Sequence, residues 1–261
     1  MIIAAAVACT AAPASQPDQS SSAATGEIVV FAASSLTDAF NEIGGSFQKA
    51  NPRARVAFNF GASSQLRTQL EQGARADIFA SANAVEMDKA RQAGVIGGTD
   101  RVFAQNRLAV ILPKNNPGGI KELRDLATPG LKFVTAATEV PIGTYTMEML
   151  DKMSNDAAFG SDFKDKVNKN TVSREPNVRQ VVAKIALGEA DAAVVYSSDV
   201  TPSAANNLDK LDIPDRYNAL AGYPIAMVKG PLNPSGAEAF VSYLLSTGGQ
   251  SILKKWRFLA P

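Results

Sequence analysis

Histidine is absent from all 261 residues, which removes Ser-His-Asp and Cys-His catalysis, histidine metal sites and any H-E-x-x-H helix. Cysteine occurs once, at Cys9, so a disulfide framework and a thiolate metal cluster are excluded within the chain. Neither sign of charge dominates. The 26 Lys and Arg stand against 25 Asp and Glu, giving no field that would draw the whole molecule to nucleic acid or a membrane. No run reaches the ~18 consecutive apolar residues of a membrane-spanning helix. Walker A, G-x-G-x-x-G and G-x-S-x-G are all missing, "GASSQ" departing from the last at Gln65. S-x-x-K occurs at Ser46–Lys49 and at Ser251–Lys254, but without K-T-G or S-D-N. Both pairs read as decoration of helix faces, and a serine-lysine enzyme is the catalytic alternative they leave.

What remains is an ordinary globular composition, 46% hydrophobic and 20% charged, long enough to bury a sizeable core. The first residues, "MIIAAAVACT", form a short apolar run ending at Cys9 and resemble a bacterial lipobox, in which the cysteine becomes a lipidated N-terminus. Ser, Ala, Gln and Pro dominate the following residues, which show no periodic apolar face. Residues 1–26 are therefore expected to be a signal and flexible tether, with an extracytoplasmic body anchored to the cell membrane through Cys9.

From Glu27 onward strand and helix patterns alternate. "EIVVFAA" is a compact β-branched run, and Leu36, Ala39, Phe40, Ile43 and Phe47 then share one helical face. "RVAFNF" and "ADIFAS" read as strands around a helix over "SSQLRTQLEQG" that stops at Gly73. Further strands are expected at 106–112, 131–137, 191–196, 208–213 and 223–228. Helices are expected over "TYTMEMLDKM", "NVRQVVAKIALG", "SGAEAFVSYLLS" and "GQSILKKW". Such alternation predicts an α/β fold of mainly parallel sheets covered by helices, with ligands at the carboxyl ends of strands.

Several strand-to-helix junctions share one chemistry. Ser34-Ser35 follow "VVFAA", Ala62-Ser63-Ser64 follow "AFNFG", Val140-Pro141-Ile142-Gly143 precede "TYTMEML", and Pro176-Asn177 precede "VRQVVAKIAL". Each leaves backbone N–H groups at a helix start, where the helix dipole also favours an anion. For any one serine, a helix cap is the alternative reading.

These junctions carry a resemblance. "VFAASSLTDAF", "FNFGASSQLRTQLEQGARADIFASAN", "VPIGTY", "NVRQVVAKIALGEADAAVVYSSD" and "YPIAMV", in this order from about Glu27 to Pro261, resemble the periplasmic molybdate-binding proteins of ABC transporters. The resemblance implies a type II periplasmic-binding fold: two doubly wound lobes joined by a hinge, residues 27–105 plus 226–261 facing residues 106–225. It implies capture of molybdate, with tungstate beside it, and sulfate as the alternative oxyanion. Ser35 and Ser63 match the serine donors, Ile142 and Val178 match positions that donate only a main-chain N–H, and Tyr196 matches a tyrosine donor. Ser34 and Ser64 are further candidate donors. Ile142 stands where the family commonly has Ala, and Asn177 where Asp is common. The implied partners are an ABC permease with its ATPase. No enzymatic activity, cofactor, direct metal ligand or nucleic acid is expected, and the chain is expected to be a monomer.

Overall fold

The computed structural model describes residues 24–261, so Cys9 and nearly all of the expected tether lie outside it. Strand β1 (Gly26–Ala33) buries Ile28, Val30 and Ala32 completely, as its β-branched run predicts. A 3-10 turn, Ser34–Leu36, leads into helix α1 (Thr37–Ala50), whose Ala39, Phe40, Ile43 and Phe47 are buried along with Leu36. That is the stripe the 3.6-residue period requires. Strand β2 (Ala54–Gly61), helix α2 (Ser63–Glu71), strand β3 (Ile78–Ala80) and helix α3 (Ala84–Gln92) complete the first run. The long strand β4 (Ile96–Pro113) then carries the chain into a second run. This comprises β5 (Phe133–Ala136), α4 (Pro141–Ser154), α5 (Phe163–Lys169), β6 (Thr171–Glu175), α6 (Val178–Ala186), β7 (Ala192–Tyr196) and β8 (Leu208–Asp212). Strand β9 (Leu220–Val228) returns, followed by α7 (Pro234–Leu245) and α8 (Thr247–Lys255).

The strand order is β2-β1-β3-β9-β4-β7-β5-β6, with β8 also on β4. β1 runs parallel to β2 and β3, and β5 runs parallel to β6 and β7, so each layer has a parallel body. Every antiparallel pairing involves β4 or β9, the strands that travel between the layers. β4 pairs with β9 as far as Arg107↔Leu220, then with β7 and β8 from Leu108 and Ala109 onward. Asn218 closes this crossing: its side chain accepts the Leu108 N–H at 2.9 Å and donates to the Leu108 carbonyl at 3.0 Å and the Ile213 carbonyl at 3.2 Å. A buried amide thus supplies the bonds that a strand neighbour would otherwise give.

Two departures from the sequence pattern have plain causes. β4 begins ten residues before the expected 106–112 strand, because Ile96–Arg107 gain a partner in β9, more than a hundred residues later in the chain. Helix α3 escapes the apolar pattern because only Glu86, Met87 and Ala90 of its nine residues are buried. The C-terminal helix returns to the first layer, where Lys255 Nζ and Trp256 Nε1 both donate to Glu42 of α1 at 2.8 Å. Phe240 of α7 packs edge-on against Phe47, with ring centroids 5.4 Å apart.

The start of α4 is unusually close to the strand that feeds it. A Cβ placed on Gly143 would lie 2.0 Å from the Ala137 carbonyl oxygen and 2.8 Å from that of Ala136. No side chain fits there, so Gly143 sets how Ile142 and the first turn of α4 sit on β5. Gly143→Ala is expected to destabilise the protein by at least about 2 kcal/mol through overpacking, lowering the melting temperature by several degrees in a thermal scan.

Candidate functional site

Four strand-to-helix junctions line one small cavity, of about 10 Å³. It is far smaller than the roughly 300–1,000 Å³ of pockets for drug-sized ligands. Ser34, Ser35 and Ser63 line it from the first layer, and Ile142, Val178 and Tyr196 from the second. Ala33, Gly61, Ala62, Ala82, Val140 and Pro141 complete the wall. No Lys, Arg, Asp or Glu is among these residues. The structure therefore brings together Ser35, Ser63, Ile142, Val178 and Tyr196, with Ser34 beside them. Ser64 does not line it: its buried hydroxyl, without a hydrogen-bond partner among the described residues, adjoins a separate pocket with Arg67, Glu86, Lys89 and Glu139.

The local sequence explains why N–H groups point inward. The first N–H groups of a helix have no intrahelical partner. Here the N-cap positions Ala33, Ala62 and Val140, before the Ser34–Leu36 turn, α2 and α4, make no side-chain cap. Pro141 at the first position of α4 has no N–H to satisfy, which leaves the N–H of Ile142 as the leading donor of that helix. At α6, the Asn177 Oδ1 accepts the Gln180 N–H at 3.1 Å, two positions beyond Val178. The serines are thus not helix caps, and their hydroxyls have other uses.

Ser63 Oγ accepts the Ala82 N–H at 3.0 Å, so its own proton is free of that bond. Ser35 Oγ lies 3.0 Å from the Tyr223 hydroxyl. With Tyr223 as donor, the proton of Ser35 faces the cavity too. The Tyr196 hydroxyl is fully buried and has no hydrogen-bond partner among the described residues. Desolvation pushes the pKa of both Tyr196 and Tyr223 well above the usual phenol range, so each keeps its proton at neutral pH and remains a donor. Tyr223 stands edge-on to Tyr196 with ring centroids 5.7 Å apart.

Carboxylates stay out of the cavity. Glu139 is exposed, and Glu175 accepts the Ser173 hydroxyl at 2.7 Å. Asp199 lies behind Tyr196 and accepts its backbone N–H at 3.1 Å. Ser46–Lys49 and Ser251–Lys254 sit on α1 and α8, outside the cavity lining, with Ser251 and Lys254 exposed. Sequence reasoning missed Tyr223, which reads only as a strand residue, because its partner Ser35 is 188 residues away and no spacing advertises the pair.

Burial raises the Asp199 carboxyl from 3.8 to about 6, with Asp38 adding to the rise, against the opposing pull of Arg179 and the Tyr196 N–H. Between about pH 4 and 6 the folded protein therefore holds a proton that the unfolded chain releases, and this group's contribution to stability falls as pH rises through that window. The full displacement is worth about 3 kcal/mol. Glu42, Asp125, Asp156 and Asp162 are shifted downward by their donors, so their contributions are lost only in more acid solution. Urea unfolding of the ligand-free protein is expected to give lower stability at pH 6.5 than at pH 4.5, with the difference reduced in Asp199→Asn.

Residues 28–259 match the family model described as bacterial extracellular solute-binding protein. The molybdate-binding protein ModA of Mycobacterium tuberculosis (strain ATCC 25618 / H37Rv) is 37% identical over 262 residues, an alignment covering all of this chain and 95% of that one. Among solved structures, the Azotobacter vinelandii periplasmic molybdate-binding protein superposes with a TM-score of 0.76 at 20% identity, covering 90% of this chain and 99% of that one. The sulfate-binding protein SubI from Mycobacterium tuberculosis H37Rv superposes with a TM-score of 0.78 at 16% identity, covering 89% of this chain and 86% of that one. At those identities the two superpositions speak for the fold alone. Together with the family model, the full-length relationship establishes that this chain belongs to the bacterial extracellular solute-binding proteins, alongside the molybdate-binding ModA proteins.

Proposed function

We propose that the protein captures molybdate, and tungstate with it, in the cavity between its two layers and delivers it to an ABC permease powered by a separate ATPase. The observation that carries this reading is the Tyr196 hydroxyl, a buried donor without a partner on the wall of a cavity lined by uncapped helix starts. An unsatisfied buried hydroxyl is costly to keep, and a ligand that only accepts hydrogen bonds repays it. Ser35 and Ser63 would give hydroxyl protons, Ile142 and Val178 their main-chain N–H groups, and Ser34 is an added donor.

A donor-only cage selects by protonation state. Molybdate, tungstate and sulfate are fully deprotonated near neutral pH, whereas phosphate keeps a proton and wants an acceptor, which no carboxylate in the lining supplies. Sulfate shares this chemistry in a smaller ion, and the full-length relationship to ModA favours molybdate over it. Capture would proceed by hinge closure of two lobes, 27–105 plus 226–261 against 106–225, with the movement focused where β4 changes partners at Arg107–Leu108. The body would work outside the cytoplasm as a monomer, held to the membrane through a lipid on Cys9.

Tyr196→Phe removes one charge-assisted bond, so calorimetry is expected to show molybdate affinity weakened by about 10- to 100-fold. Because that hydroxyl has no partner in the empty protein, the ligand-free melting temperature should stay put or rise. Ser35→Ala is expected to weaken binding similarly, with a small loss of ligand-free stability from the bond to Tyr223. Unaltered affinity in both variants would overturn the assignment.

A further inference from the structure

Arg179 is the second residue of α6, directly after Val178, and a cation there opposes the helix dipole rather than complementing it. Its side chain is only 30% exposed and reaches to the other layer. There Nε donates to the Ser34 carbonyl at 3.1 Å, and the guanidinium forms an ion pair with Asp38 of α1. On its own layer, Nε lies 4.0 Å from Asp199 Oδ1, a fully buried carboxylate oxygen with no hydrogen-bond partner among the described residues. One guanidinium thus joins the residue beside Ser35 to the residue beside Val178, and it has a second, unsatisfied carboxylate within reach.

We propose that Arg179 is a positioning residue for anion capture, a clamp that exchanges partners as the cleft closes. In the closed arrangement it holds Ser34 and Asp38, which fixes the approach of the Val178 N–H to the serine turn. When the layers part, Asp38 and Ser34 withdraw, and Arg179 falls back onto Asp199, whose free oxygen accepts it. The exchange keeps a partly buried cation paired in both states, so opening does not strand an uncompensated charge. Arg179 is not in the cavity lining; its effect on the ion runs through Val178 and Ser34, and it appears in how long the ion stays rather than how fast it arrives.

The proposal rests on the anion-capture reading, and the test separates the two. Arg179→Gln, Asp38→Asn and the double variant are compared in the full chain, using calorimetry and stopped-flow dissociation with molybdate, tungstate and sulfate, and ligand-free melting. Each single variant is expected to speed dissociation by about 5- to 30-fold, with association within about 3-fold of the parent, and the double variant to be no worse than either single one. Arg179→Lys, which keeps the charge but loses the planar fork, should fall between parent and Arg179→Gln. The pair is made in the closed arrangement, so any coupling between the two substitutions in ligand-free melting should be smaller than their coupling in dissociation. Additive dissociation effects, or the same coupling in ligand-free melting, would overturn the clamp and leave an ordinary structural ion pair. If the parent protein bound none of the three anions, the capture reading itself would fail and the clamp with it.

Discussion

Helix starts carry backbone N–H groups that must bond to something, and the organisation of this molecule follows from leaving several of them unpaid in one place. Ala33, Ala62 and Val140 occupy N-cap positions without capping, and Pro141 withholds its own N–H. An α/β layer naturally sends such helix starts to the carboxyl ends of its strands. Two layers joined edge to edge through β4 and β9 turn those ends toward each other. The cavity is where the helix starts of the two layers meet.

Neutral donors suit a dianion because they impose a shape without imposing a charge. The wall combines hydroxyls and amides with small apolar groups, while the charged groups stand outside it: Asp199 behind Tyr196, and Arg179 between Asp38 and Asp199. Desolvation keeps Tyr196 and Tyr223 protonated, so the phenols stay donors at neutral pH. Ser63 is held by the Ala82 N–H and Ser35 by its bond to Tyr223, so under the proposed capture the hydroxyls would be oriented before an ion binds.

The parts of this architecture legible in the sequence were those with local signatures. β1 announced itself by its β-branched run and α1 by its buried stripe, while the residues of the cavity stood out as a set only through a family resemblance. What stayed hidden depends on contacts between distant segments. Tyr223 meets Ser35, Asn218 seals Leu108, and Arg179 meets Asp38, across separations of 188, 110 and 141 residues, and neither periodicity nor spacing encodes such pairs. The serines also show the limit of local reasoning: a serine at a helix start reads as a cap, and only the tertiary structure shows that Ser35 and Ser63 bond elsewhere.

The central claim is that a donor-only cage takes a fully deprotonated tetrahedral dianion. The most direct measurement is a thermal-shift and calorimetric titration of the intact protein near pH 8 with molybdate, tungstate, sulfate and phosphate in turn. The account predicts a clear rise in melting temperature and saturable heat with molybdate and tungstate, and neither with phosphate. A response to phosphate alone would contradict it.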